Sequence, residues 1–374
     1  MIGSHTMKKL TSRLTVATMF GILCGIFAPP SLGFFEPSYD IVFEESRVTP
    51  ALTQKVVLSI TQDASGAMWF ATQEGLNRYD GREVEGYTAR YSKEGALLSD
   101  SIKPQSIVGL TSDDQGRVWV GTTTLQYFEP ATRGFIKPKS VPEYIIIKSL
   151  AIDRSGKLIV GLKGGIAIYD PLKESYKQYS LPTPKFKIYN EVVGLLVSDN
   201  SRVFGLINGE GLVELKFRDD ELDVLRVWTS DGIEDAELWT LEEVGSEIWI
   251  GTQTDGIFVL DILTGNTRRQ TSNSGYDQLP SDTINSIYSD DDRVWVSTAN
   301  GLAVTIDGGR SYSVYTEFNN GITNDKTNTI YRSRDGTYWV GTVAGLAQGR
   351  ESLFQTLNKS NSNLSRDDVN AIAA

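Results

Sequence analysis

The chain has one cysteine and one histidine in 374 residues, Cys24 and His5, and both lie within its first 33 positions. Everything after residue 33 is therefore without a disulfide, a thiolate nucleophile, an imidazole base or a histidine metal ligand. Enzymes built on Ser-His-Asp or Cys-His chemistry are excluded. Positive charge is also in deficit, since 36 Lys and Arg stand against 47 Asp and Glu, for a formal charge of −11. Nucleic acid and anionic lipid, both polyanions, are poor partners for such a surface.

Long apolar runs are missing except for one, "LTVATMFGILCGIFA" at 14–28. It follows Lys8, Lys9 and Arg13 and precedes Pro29, Pro30 and a small-x-small site at Ser31 and Gly33. A charged start, an apolar run too short for a comfortable span and a small-residue site describe an export signal over residues 1–33, the alternative being an uncleaved anchor. Leu23 before Cys24 is a poor lipobox residue, which argues against a lipoprotein. Loss of this leader removes three cations and no carboxylate, taking the formal charge from −11 to −14. The expected location is the periplasm, free or tethered to the membrane.

What the rest of the chain has is repetition. "DASGAMWFATQEGLNRYDG" around Trp69 recurs as "DDQGRVWVGTTTLQYFEP" around Trp119, "GSEIWIGTQTDGIFVLD" around Trp249, "DDRVWVSTANGLAVTID" around Trp295 and "RDGTYWVGTVAGLAQG" around Trp339. Ile159 and Phe204 take the same place in two further copies, and the seven anchors lie 40 to 50 residues apart. That period and four short strands per copy are the pattern of propeller blades. In the first copy the strands are expected at 56–63, 67–72, 75–80 and 83–89, joined by tight turns such as Asp63-Ala64-Ser65-Gly66. The expected fold is an all-β, seven-bladed β-propeller of four-stranded blades over residues 34–374.

Tryptophan at the centre of a short apolar strand is expected to pack between sheets, its N–H meeting a backbone acceptor. Replacement by Phe204 and Ile159 favours packing over ligand contact, because both keep bulk and neither keeps the N–H. Residues 39–45, "YDIVFEE", read as the last strand of a blade placed before the first full copy. Residues 360–374, "SNSNLSRDDVNAIAA", read as the opening of an eighth. The expectation is thus seven blades with an orphan strand at each end, in a fragment of a longer receptor.

With seven copies of a unit that approximates W-[IV]-G-T-x-x-G-[LI], matched in full at Trp339–Leu346, the chain resembles the two-component regulator propeller repeat family. The resemblance runs from about residue 38 onward and is weakest in copies three and four. It implies the extracytoplasmic sensor region of a hybrid histidine kinase or a diguanylate cyclase. It further implies a small-molecule ligand such as an oligosaccharide, and a C-terminal or separate signalling output module. A homodimer is a further possible partner, and neither a cofactor nor a metal is implied.

Propellers bind ligands where loops converge at the channel mouth. Loops between second and third strands offer Gln73, Glu74, Lys163, Asn208, Gln253, Asp255 and Asn300, and loops leading into the innermost strands offer Tyr144, Tyr189 and Lys326. Amides, carboxylates and Tyr suit a sugar or a peptide, although polar loops are ordinary on any soluble protein. "TIDGGRSY" at 305–312 is similar to the Asp-box hairpin, a structural turn, and "SDDDR" at 289–293 sits where other copies carry an ordinary Asp turn rather than a calcium site. No residue is assigned to catalysis. The alternatives are a carboxylate-dependent glycosidase or lyase on the same scaffold, and a scaffold for protein partners.

Overall fold

The computed structural model describes residues 41–351 apart from 104–106, 182–190, 199, 219–220, 274–277 and 320. These residues form seven four-stranded antiparallel sheets, each with its strands in chain order except the last. Blade one comprises Val57–Gln62, Met68–Thr72, Gly75–Tyr79 and Val84–Tyr87, within two residues of the expected bounds at each strand end. The first strand of each blade is the innermost, and these strands meet their neighbours around a central channel. They are Val57–Gln62, Gly109–Ser112, Ile147–Ile152, Val192–Val197, Leu238–Val244, Ile284–Asp290 and Thr327–Arg332.

The N-terminal strand is not an orphan. Ile41–Glu45 pairs antiparallel with Gly345–Glu351, in register from Ile41↔Glu351 to Glu45↔Ala347, and supplies the outermost strand of blade seven. Two features hold it there. Ile41 and Phe43 alternate with exposed residues and bury inward at 2% exposure each, and Phe43 meets Tyr315 edge-on at 5.4 Å. Pairing covers the edge that Gly345–Glu351 would otherwise present. The C-terminal strand expected at 360–374 lies outside the described residues, as does the leader at 1–33.

The core lies between blades. One cluster joins Trp69 and Leu76 of blade one to Val118, Val120 and Phe128 of blade two, and another joins Trp339 and Leu346 of blade seven to Val57 and Phe70 of blade one. All seven anchors are buried, the five Trp together with Ile159 and Phe204. A Trp burying about 150–250 Å² contributes roughly 4–6 kcal/mol of transfer free energy before entropic costs. This explains why the large anchor recurs once per blade.

The acceptor for the indole N–H is a carboxylate rather than the backbone. Asp63 Oδ1 accepts the N–H groups of Ser65 (2.9 Å) and Ala67 (3.1 Å), which closes the turn, while Oδ2 accepts Trp69 Nε1–H at 2.7 Å. Asp113 does the same for Trp119 at 2.8 Å. Asp290 accepts from Trp295 at 3.1 Å, and Glu247 from Trp249 at 3.3 Å. The carboxylate is favoured because one oxygen can close the turn while the other faces the strand. In blade seven the corresponding residue is Ser333, and Trp339 Nε1, although buried, has no acceptor among the described residues.

Candidate functional site

An innermost strand starts at the mouth, so the loop leading into it shares an end with the loop between the second and third strands. Backbone bonds tie the two together. Gln253 N–H donates to Glu237 O (3.0 Å), Lys163 N–H to Ile146 O (3.2 Å), Ala299 N–H to Thr283 O (3.2 Å) and Val343 N–H to Lys326 O (3.2 Å). The mouth is thus a double ring of loops fixed on the rigid strands below.

The first rung of six innermost strands is irregular. Pairing skips one residue in each, at Leu58, Lys148, Val193, Trp239, Asn285 and Asn328. A bulge re-aims the extra side chain. Asn285 Nδ2 donates to Thr327 O of the next blade at 2.7 Å, and Asn328 Nδ2 to Val57 O at 2.9 Å, so side chains at this register run along the channel rim. Lys148 Nζ is paired with Glu191 at 2.9 Å.

Of the residues expected at the mouth, Gln73, Glu74, Lys163, Asn300 and Lys326 are exposed on its loops, and Tyr144 is 67% exposed. Asn300 Nδ2 reaches Pro280 O at 3.3 Å. Asn208 is held across a seam, its Oδ1 accepting from Leu238 N–H of blade five at 3.0 Å. Asp255 faces its own blade instead, its carboxylate engaged by Arg269 of the outermost strand (2.5 Å) and by Thr254 Oγ1 (2.9 Å). Tyr189 lies outside the described residues.

The structure adds Trp239, which sequence reasoning passed over. It is 50% exposed at the rim of blade five. The available signal was its position. It precedes the anchor Trp249 by a whole strand and turn, so the packing argument for anchors did not apply to it.

Three residues further along the same strand, Glu242 occupies the seam with blade six. Burial pushes its carboxyl up to about 7, although Ser289 O–H (2.7 Å) and Ser289 N–H (3.0 Å) both donate to it. Tyr288 is likewise pushed up to about 12 by burial. The Asp-box carboxylate of Asp307 shows the opposite balance. Burial works against its charge, but donors from Ser311, Thr305 and Arg310 hold its carboxyl well below the usual range. Those bonds all lie within the hairpin, so the box serves as a turn. Among the described residues no group of three or more Cys, His, Asp or Glu is arranged to hold a metal, and no helix is long and apolar enough to cross a membrane.

Seven closed blades with a loop-lined mouth define the class, a seven-bladed β-propeller. Within it, residues 101–124 match the family model for the two component regulator propeller, the repeat that the sequence resembles. A curated relative, histidine kinase P4 of Formosa agariphila, is 24% identical over 193 residues, which are 49% of this chain and 14% of the kinase. The extracellular domain assigned to the hybrid two component system BT3049 of B. thetaiotaomicron superposes with a TM-score of 0.67 at 19% identity, over 84% of this chain and 42% of that one. Streptogramin B lyase superposes with a TM-score of 0.59 at 11% identity, over 83% of this chain and 98% of the lyase. The chain therefore spans less than half the length of the kinase and of the extracellular domain. Since a lyase shares the architecture, fold alone does not decide between binding and catalysis.

Proposed function

We propose that this chain is the ligand-reading propeller of a bacterial extracytoplasmic receptor, binding a small molecule such as an oligosaccharide and signalling to a membrane-linked output module. The reading rests on the two component regulator propeller match at residues 101–124. The absence of His and Cys after residue 33 weighs against catalysis, since it removes the commonest general base and the strongest side-chain nucleophile. Signalling would follow from a population shift, in which the ligand binds one arrangement of the receptor more tightly than another. The output module lies outside the region described, and a homodimer is one route by which a shift is passed on.

The test is a thermal-shift screen of the chain against oligosaccharides and short peptides, with product analysis of every hit. A ligand that binds only the folded ring raises Tm by mass action and is recovered intact. A hit that is consumed overturns the sensor reading in favour of a carboxylate-dependent enzyme.

A further inference from the structure

Six of the seven tryptophans are buried: Trp69, Trp119, Trp228, Trp249, Trp295 and Trp339. The seventh, Trp239, has half its surface in water at the one register whose side chains run along the channel rim. Its predecessor Leu238 is fully buried, so the strand is anchored and the indole is presented on rigid backbone.

Polar groups are fixed around it. Asn208 is within hydrogen-bond distance of the residue before Trp239, with its Oδ1 taken by Leu238 N–H and its amide N–H groups left to donate. Gln253 is tied by its backbone to Glu237, two residues before the indole. On the other side, Asn285 of blade six spends Nδ2 on Thr327 O and keeps Oδ1 as an acceptor. Charge near the indole is negative, because Asp235 and Glu237 are exposed on the loop that leads to it. The lysine at the same rim register, Lys148, is neutralised by Glu191.

We infer that ligand docks on the blade-five side of the mouth, stacking an apolar ring face on Trp239 with hydroxyl-type edge groups on Asn208 and Asn285, and that this ligand carries no negative charge. This rests on the small-molecule reading above and deepens it. A hydroxyl both donates and accepts, and so fits an amide N–H on one flank and an amide oxygen on the other. An anion would meet two carboxylates. The aromatic face supplies contact area at low entropic cost, and such residues carry a large share of binding energy.

The test uses the full chain and a panel of neutral oligosaccharides with their uronate-bearing and sulfated counterparts. Binding is followed by titration and by acrylamide quenching of Trp fluorescence. A neutral member should bind and shield the accessible indole, and Trp239→Ala should weaken its Kd by about tenfold or more with the unliganded Tm unchanged. Trp239→Phe should restore part of the loss. Asp235→Asn with Glu237→Gln should improve binding of charged counterparts. Equal affinity in wild type and Trp239→Ala, or binding of charged members alone, overturns this site while leaving the sensor reading standing. Failure of every member to bind the wild-type chain overturns the site, whereas the sensor reading falls only if the peptides of the wider screen fail as well.

Discussion

Replacing Ser333 by Asp and Asp335 by Ser in one chain would give blade seven the Asp-x-Ser-Gly turn that blade one already has. Trp339 follows Ser333 by six residues, as Trp69 follows Asp63 and Trp119 follows Asp113. In the natural turn Ser333 Oγ lies 2.6 Å from Asp335 Oδ1 and 2.8 Å from Thr337 O, and its single O–H serves one acceptor or the other, which closes the hairpin but offers the indole nothing. A carboxylate at 333 would accept the N–H groups of residues 335 and 337 on one oxygen and Trp339 Nε1–H on the other. Satisfying a buried donor is worth about 1–3 kcal/mol. Against this stands the loss of the Asp335–Arg350 pair, whose side chains are 60% and 67% exposed, and which contributes about 0–1 kcal/mol. The double variant should gain about 1–2 kcal/mol, raising Tm by roughly 1–4 °C in a ring of this size. Ser333→Asp alone should gain less, because Asp335 would then repel the new carboxylate. Urea unfolding gives the energies, and the ¹⁵N-indole resonance of Trp339 gives the cause, since its hydrogen exchange should slow. A double variant no more stable than wild type, or an unchanged indole exchange rate, refutes the argument that the carboxylate serves both turn and anchor.

Four other changes test the same structure. Asp63→Ser in blade one should cost about 2–3 kcal/mol by freeing Trp69 Nε1–H and opening the turn, as measured by the urea midpoint. Phe43→Ala should cost about 3–5 kcal/mol, because the ring is buried against Trp295 and Tyr315, and a chain starting after residue 46 should lose cooperative unfolding altogether. Glu242 has a folded carboxyl raised from 4.5 to about 7, so its stabilising contribution is complete below about pH 4.5 and is lost as pH rises through 7. Relative to Glu242→Gln, wild type should therefore lose on the order of 3 kcal/mol between pH 4.5 and pH 8, and a flat difference across urea midpoints would sink the assignment.

Much of the ring is legible in the sequence because each blade repeats the same local chemistry. The Asp-Gly turn, the apolar second strand and the Gly that opens the third are short-range features, so Met68–Thr72 and Gly75–Tyr79 can be placed without tertiary knowledge. Even Ile159 and Phe204 reveal their role, since only burial unites them with Trp. Features set by distant partners were less accessible. That Ile41–Glu45 completes blade seven depends on a strand some 300 residues away. Trp239 sits where a bulge takes it out of the ladder, and Asp255 turns to Arg269 rather than to the mouth because the outermost strand brings a cation beside it. Polar loop composition carries no sign of either outcome.

The closure of blade seven also sets how the ring bears a load. The described part of the ring begins at Ile41 and ends at Glu351, which are partners on one rung at the face opposite the mouth. Adjacent strands lie about 4.8 Å apart, so tension between the two flanks would act across the ladder rather than along it. Such a pull meets the rungs singly, Ile41↔Glu351 first and Glu45↔Ala347 last, instead of straining all five together. Blade seven is then the mechanical fuse of the propeller, peeling open while the six blades built from continuous chain remain unloaded.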